Sequence, residues 1–298
     1  MNLLHKVSLI RLYSLSVSLW FFGRACQHLF WETPYREFFW NGRLLEGIVN
    51  AWFNLSWNEY MVHPSTNAFI DGTAITLGVL YLSNSIICWL APYYQWARWS
   101  GLINLVLFLP FIWLNFQGYW FNSLQILEFA LQVGSIFFFF HLCKQGKGHL
   151  FKKQTRLLLK LLIALTFTAH GLYAMGVFPL PQNFIQMTIS ALNVNNETAI
   201  LFLWWAGFMD ILLSVLIFTP FRIAKYALIY AIVWGFLTAF ARIYCNVYMF
   251  DFWNGLNQWH YHFLVRNAHF IIPTIVYMSC YRSKHFINHV FSSKKSTE

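Results

Sequence analysis

The chain of 298 residues contains eight apolar segments that are long enough to cross a lipid bilayer. A membrane-spanning helix needs about 20 mainly apolar residues at about 1.5 Å per residue. Helices satisfy their own backbone hydrogen bonds, which a bilayer interior requires. We therefore predict an all-α integral membrane protein with eight transmembrane helices, at residues 10–30, 71–91, 100–120, 123–143, 157–178, 199–219, 224–246 and 262–281.

Composition supports this class and excludes others. The chain is 58% hydrophobic and 10% charged, whereas soluble domains are about 25% charged. The net charge of +10 does not indicate nucleic acid, because the basic residues lie in short loops between apolar segments, where they set topology. The five cysteines form no CxxC pair, which is typical of packing residues. We expect the lipid bilayer as a partner, no nucleic acid and no metal site.

A basic run, Lys144–Arg156, fixes the predicted orientation. Cytoplasmic loops carry an excess of Lys and Arg, so we place this run in the cytoplasm. Both termini then also lie in the cytoplasm. Only five of the 20 basic residues fall outside the predicted cytoplasmic regions, Arg24, Arg36, Arg43, Arg242 and Arg266. We expect a protein of the bacterial inner (cytoplasmic) membrane.

The same run divides the chain into two similar halves. Each half has four spans that enter and leave on the same sides, so the sequence predicts two parallel four-helix repeats. Each also has an amphipathic outer connection, 43–54 or 183–192, which is typical of a helix in the membrane interface or of an ordinary loop. The predicted organisation is a first membrane unit at 1–143 with a long outer connection at 31–70, a basic linker at 144–156, a second membrane unit at 157–282 and a basic cytoplasmic tail at 283–298.

Ionisable residues within the spans are the candidate functional residues, because charge inside a bilayer is costly and usually faces a protein interior or cavity. Most lie at similar depth in the outer half of the predicted membrane. Glu128 is the one acid at this depth, against three arginines, which leaves at least one arginine for another partner. We predict a pocket that is open to the outer side and binds a ligand through Arg24, His28, Glu128, Gln132, His170, Arg242, Arg266 and His269. Asp210 is placed nearer mid-membrane and outside this pocket.

Each of these residues also has a purely structural explanation. In one alternative, the long side chains of Arg24 and Arg242 extend to the lipid headgroups. Glu128 and Arg266 suit an ion pair between corresponding helices of the two halves. A single histidine is more often a hydrogen-bonded packing residue than a ligand. The shared depth of the group favours a common site.

Several motifs resemble those of the DoxX-like membrane superfamily. The first helices of the two units contain FGRACQHLFWETP and TFTAHGLYAMGVFPLP. The last helix contains RNAHFIIPTIVYM, and its counterpart EFALQVGSIFFFF is similar at Glu128 and Gln132. The resemblance implies small bacterial membrane proteins, some associated with quinone-linked sulfur oxidation. It therefore implies a quinone or quinol ligand here, although two tandem units depart from the usual single unit.

Three functions fit the sequence. The first is binding of a quinone-like or small anionic ligand in a redox-linked protein, with haem as a variant in which His28, His170 and His269 are candidate axial ligands. The second is transport of a small solute or anion. The third is a scaffold subunit of a membrane complex, with a partner protein or a second copy. Whether the protein is an enzyme stays open at this point.

Overall fold

The computed structural model describes residues 3–31, 33–118, 124–145, 152–249 and 251–280. Within these ranges the regular structure is entirely helical. The predicted all-α class is therefore confirmed. Residues 146–151 of the basic linker and the whole of the predicted tail at 283–298 lie outside the described residues.

The first half contains two long helices, α1 and α5, with shorter helices between and after them. Between α1 and α5, three short helices form the connection that the sequence predicts on the outer side. The helices are α1 (Leu3–Phe30), α2 (Tyr35–Phe39), α3 (Gly42–Phe53), α4 (Trp57–Val62), α5 (Pro64–Ile87), α6 (Gln95–Leu107), α7 (Leu109–Gly118), α8 (Leu124–Glu128) and α9 (Ala130–Gln145), with a 3₁₀ turn at Cys88–Leu90 after α5.

The second half has a simpler order with one short outer helix. Its helices are α10 (Lys153–Ala174), α11 (Gln182–Leu192), α12 (Asn196–Leu216), α13 (Phe221–Met249), α14 (Phe252–Val265) and α15 (268–280). The last predicted span began at residue 262. In the structure its helix begins ten residues earlier, because the Asp251 side chain accepts a hydrogen bond from the backbone N–H of Asn254 and caps α14.

Six helical segments of the described chain are long and apolar enough to cross a membrane, by length and composition. They are Pro64–Leu90, Gln95–Gln117, Lys153–Ala174, Asn196–Leu216, Phe221–Val247 and Phe252–Cys280. The other two predicted spans, 10–30 and 123–143, are helical but are not among the six. Helix α1 carries Arg11 and Arg24, and the second segment is interrupted at Phe129 between α8 and α9.

The outward faces of these helices are apolar. On α12, for example, Leu201, Trp205 and Val215 are 59%, 55% and 64% exposed. Contiguous apolar surface of this kind is unusual on soluble monomers and suits contact with lipid. The protein is thus an integral membrane protein.

The two halves pack in matching ways. Helix α1 packs against α5 in the first half, and α10 packs against α12 in the second. Each of these opening helices also contacts the last segment of the other half, since α1 packs on α14 and α10 packs on α8 and α9. The core lies along these contacts, with Tyr13, Trp20 and Phe21 of α1 at most 1% exposed.

Both outer connections contain the helices that their amphipathic patterns predicted, α3 and α11. Each ends at an asparagine in the left-handed region, Asn54 or Asn193, both with φ of 52°. Asparagine tolerates this backbone conformation better than most residues. In each half, the N-cap residue of the next helix, Ser56 or Asn195, lies two residues later, and its side chain caps that helix.

Two glycines allow α10 and α12 to approach closely. A methyl group added at Gly207 would lie 2.6 Å from the carbonyl oxygen of Gly171, and one added at Gly171 would lie 2.8 Å from that of Gly207. Small residues permit close helix contacts of this kind in membranes. This crossing fixes α12 beside His170, the residue before Gly171.

We expect Gly207→Ala to lower the free energy of unfolding by about 1–3 kcal/mol, because the added methyl group meets backbone that cannot move aside freely. The matched control is Gly47→Ala on α3, where nothing lies within 4 Å. This substitution should leave the free energy of unfolding unchanged or raise it by up to about 1 kcal/mol, because alanine has a higher helix propensity than glycine. Thermal unfolding in detergent micelles measures both variants. Equal transition midpoints for the two would contradict the close crossing.

Candidate functional site

The eight predicted site residues lie in two clusters near the centre of the bundle. Arg24, His28 and Gln132 form the first cluster with residues of the first half. Glu128, His170, Arg242, Arg266 and His269 form the second. The two clusters are electrostatically connected, because the charge of Arg266 acts on Arg24.

Arg24 is 5% exposed and is held by neutral partners. Its Nη1 donates to Oε1 of Gln27 at 2.8 Å, and its Nη2 donates to Oε1 of Gln132 at 3.1 Å. The guanidinium carbon lies 4.5 Å and 4.9 Å from the ring centres of Phe108 and Phe111. Cation–π contacts of this kind are strongest when water is excluded. Arg24 therefore has an aromatic enclosure of its own.

His28 uses both of its ring nitrogens within the protein. A backbone carbonyl is only an acceptor, so Nδ1–H donates to the carbonyl oxygen of Arg24 at 2.7 Å. Nε2 then accepts from the hydroxyl of Tyr35 at 2.9 Å. Burial raises the pKa of Tyr35, so its hydroxyl stays protonated and can donate. This contact ties α2 of the outer connection to α1.

The second cluster is a chain of three polar side chains. Oε1 of Glu128 lies 3.6 Å from Nδ1 of His170. Nε2 of His170 lies 3.4 Å from Nε2 of His269, and Nδ1 of His269 donates to the carbonyl oxygen of Arg266 at 3.0 Å. The charge of Arg266 acts on all three side chains. The chain thus joins α8, α10 and α15.

A break in a helix places Glu128 in this chain. Helix α8 ends at Glu128 and α9 begins two residues later, which leaves backbone groups without helical partners. The hydroxyl of Thr166 on α10 donates to the carbonyl oxygen of Leu127 at 3.1 Å and accepts from the N–H of Leu131 at 3.0 Å. One threonine therefore repairs the break and holds α10 next to the carboxylate.

A second helix break, between α14 and α15, determines the positions of Arg266 and His269. Helix α14 ends at Val265 and α15 begins at 268. The fully buried Asn267 lies in the gap, where its Nδ2 donates to the carbonyl oxygen of Leu264 at 2.7 Å. Its Oδ1 accepts from the hydroxyl of Ser16 on α1 at 2.5 Å. The opening helix of the other half therefore contacts each break, through Thr166 at the first and through Ser16 at the second.

A cavity of about 390 Å³ lies beside the second cluster, and we name it the His–Arg cleft. Helices α10–α13 and the segment around the second break surround it. Its wall is mainly apolar, with aromatic side chains such as Phe167, Phe184 and Trp234. Its charged, acidic and imidazole lining residues are His170, Asp210, Arg242, Arg266 and His269. An apolar cavity with a few convergent polar groups is the usual form of a ligand site.

The His–Arg cleft opens through the side of the bundle. Its lining includes Phe202 of α12 and Leu237, Phe240 and Tyr244 of α13, which are 37–50% exposed. These residues lie on helices whose outer faces contact lipid. The opening therefore lies on an apolar lateral face of the bundle, which suits contact with lipid.

Asp210 belongs to this cleft, although the sequence indicated a position apart from the other polar residues. It is 4% exposed, and the hydroxyl of Tyr230 donates to its Oδ1 at 3.2 Å. An acid inside an apolar helix was a signal in the sequence, but its assigned depth separated it from the others. Thr188 and Thr238 also line the cleft, and nothing in the sequence distinguished them from other threonines.

The first half has a larger groove of different character, about 1270 Å³ in volume. Side chains from α2, α5, α7 and α8 line it, including Phe39, Phe69 and Trp113. Its described lining residues carry no charge. Among the described residues, no group of three His, Cys, Asp or Glu side chains is arranged to hold a metal ion.

The fold and the His–Arg cleft define a multi-pass helical membrane protein with a polar site inside its second half. Residues 164–258 match the model of the DoxX-like family. The predicted DoxX-like resemblance is therefore confirmed for this segment, which runs from within α10 into α14 and covers about a third of the chain. Searches of curated proteins and of solved structures found no match.

We expect Thr166→Val, which keeps the side-chain shape but removes both hydrogen bonds, to lower the free energy of unfolding by about 1–3 kcal/mol. The matched control is Thr73→Val, whose hydroxyl bonds to the carbonyl oxygen of Phe69 on an exposed helix face. That control should change stability by no more than about 0.5 kcal/mol. Thermal unfolding in detergent checks both. A Thr166 variant as stable as its control would show that the repaired break contributes nothing.

Proposed function

We propose that the protein binds a lipophilic, quinone-like ligand, or a small anionic one, in the His–Arg cleft. The observation that carries this proposal is the combination of a lateral opening on an apolar face with cationic and imidazole side chains in the lining. A tail would lie along the apolar wall. A polar head group would meet Arg266, His269 and Arg242.

The hydrogen-bond inventory of the cleft favours an oxygen-rich head group. An arginine has five N–H donors and no acceptor, so Arg242 and Arg266 can bond a ligand in addition to their present partners. Carbonyl, phenolate and carboxylate oxygens are the matching acceptors. A quinone head group carries such oxygens and has an apolar ring that suits Phe167, Phe184 and Trp234.

A bis-histidine haem does not fit the described positions of the candidate histidines. His28 has both ring nitrogens engaged in hydrogen bonds. The Nε2 atoms of His170 and His269 are 3.4 Å apart, whereas two metal–imidazole bonds of about 2.0 Å span about 4 Å. We therefore assign no role to haem.

The architecture that accompanies this function is two parallel four-helix repeats with eight spans and cytoplasmic termini. The reciprocal packing of α1 on α14 and of α10 on α9 supports the repeat, as do the matching asparagine turns and helix breaks. The excess of basic residues on one side supports the orientation. The resemblance to DoxX-like proteins, which implies bacterial membrane proteins, supports a location in the bacterial inner membrane. We propose a partner subunit or a second copy as its protein contact.

Binding of a benzoquinone with a decyl tail tests the proposal. We expect saturable binding to the wild-type protein in lipid nanodiscs, beyond partition into empty nanodiscs. Arg266→Gln should weaken the affinity at least tenfold, because a charge-assisted hydrogen bond contributes about 1.5–3 kcal/mol. Equilibrium dialysis with a radiolabelled probe measures both dissociation constants.

The matched control for this test is Arg36→Gln. Arg36 lies on α2, bonds to Asn67 and Asp71, and does not line the cleft. Its substitution should leave the affinity unchanged. Unchanged affinity in Arg266→Gln, or an equal loss in both variants, would contradict binding at the cleft.

Transport of a small anion is a second candidate, and the two interrupted helices favour it. Discontinuous helices beside charged residues are common at the substrate sites of membrane transporters. Here the breaks at Phe129 and at Arg266–Asn267 flank the Glu128–His170–His269 chain. Uptake of radiolabelled acetate or inorganic phosphate into proteoliposomes should then exceed that of empty liposomes and fall in Arg266→Gln. Uptake at the level of empty liposomes rejects transport of these anions.

A further inference from the structure

The contacts of His269 determine where its proton lies. A backbone carbonyl only accepts hydrogen bonds, so Nδ1 of His269 carries the hydrogen that is donated to Arg266. A neutral imidazole has one N–H, which leaves a lone pair on Nε2 of His269. The 3.4 Å contact between the two Nε2 atoms is then attractive when the hydrogen lies on Nε2 of His170.

The contact between His170 and Glu128 is attractive only when a hydrogen lies between the two side chains. With hydrogen on Nε2, a neutral His170 presents a lone pair at Nδ1, and an ionised carboxylate presents another. The 3.6 Å contact is therefore attractive when Glu128 is protonated or when His170 is an imidazolium. One proton in each of the three contacts completes the chain. Loss of one proton leaves two lone pairs facing each other.

Glu128 is placed behind the histidines as seen from the His–Arg cleft. His170 and His269 line the cavity, whereas Glu128 is not one of its lining residues. A ligand in the cleft therefore meets the two histidines, and His170 lies between it and the carboxyl group. The Glu128 carboxyl group, which can carry a proton, is therefore separated from the surface that contacts the ligand.

We propose that Glu128 supplies a proton to an oxygen of the bound ligand and that His170 transfers it. The inference rests on the proposed ligand-binding function and names the ligand as a lipophilic phenolate or similar oxygen base. The O–H bond of Glu128 breaks as N–H forms at Nδ1 of His170. The ligand oxygen takes the place of Nε2 of His269 as the acceptor of the Nε2–H hydrogen of His170. That Nε2–H bond breaks as O–H forms on the ligand, whose oxygen provides the electron pair. The carboxylate retains the pair from its broken bond.

Two arginine charges offset part of the cost of burying the carboxylate that this transfer creates. The charges of Arg242 and Arg266 act on both Glu128 and His170. Opposite charge nearby favours the ionised form of a carboxyl group. A contact of 3.6 Å is longer than a hydrogen bond, and such contacts often shorten when a ligand binds. The charged or titratable groups packed around His170 are Glu128 on α8, Asp210 on α12, Arg242 on α13, and Arg266 and His269 near the second break.

A 2-nitrophenol with a hexyl tail tests the transfer, because its phenol and phenolate forms absorb at different wavelengths. The spectrum of the bound probe is recorded in nanodiscs at a pH at which the free probe is mostly phenolate. We expect the wild-type protein to bind the probe as the phenol. Glu128→Gln and His170→Gln should bind it with a phenol-to-phenolate ratio at least tenfold lower. Glu46→Gln, which alters an exposed acid on α3, should match the wild type.

The outcomes separate this inference from the proposed function. Saturable binding with the same phenol-to-phenolate ratio in wild type and Glu128→Gln overturns the proton transfer and leaves the cleft as a ligand site. Absence of saturable binding to the wild type overturns both. A ratio that falls in Glu128→Gln and His170→Gln while binding stays saturable supports the transfer. Use of two variants on different helices guards against a folding defect in either one.

Discussion

Charge buried in an apolar bundle must find a partner, and this constraint organises the centre of the protein. An isolated charge inside a membrane is costly, and removal of one partner from a buried pair is costly as well. Arg24 meets the constraint with Gln132 and a set of aromatic rings. Glu128 meets it with His170, within reach of two arginine charges. Both solutions draw on helices from more than one segment, so the polar centre also connects the fold.

Backbone polarity is handled in the same way. Two helices are interrupted within the bundle, and unpaired backbone groups in an apolar medium are as unfavourable as unpaired side chains. Thr166 satisfies the first break and Asn267 the second, the latter with Ser16. Because each break lies next to a charged residue, the repaired backbone and the candidate site form one structure. The His–Arg cleft is the space that remains beside it.

The sequence predicted the class of fold and the identity of the polar residues, because both follow from composition and helical length. Apolar segments of about 20 residues can form only a few structures in a membrane, and charges within them are conspicuous. The sequence did not predict that Arg24 and Glu128 would enter different clusters. Residues on different helices can lie at equal depth and still point to different parts of the bundle. Nor did it predict the break at Phe129, where no glycine or proline marks the backbone, or the place of Asp210 in the cleft. Those features depend on contacts between helices that are distant in the sequence.

The central claim is that the His–Arg cleft is a ligand site, and a variant that fills the cavity tests it most directly. Ala206 lines the cleft, and Ala206→Phe adds volume there while all of the charged residues stay in place. Native mass spectrometry of protein released from nanodiscs with the decyl-tailed benzoquinone counts bound molecules. The account predicts one molecule per wild-type chain and per chain of the exposed control Ala51→Phe, and none for Ala206→Phe. Equal occupancy in all three proteins would show that the ligand binds elsewhere.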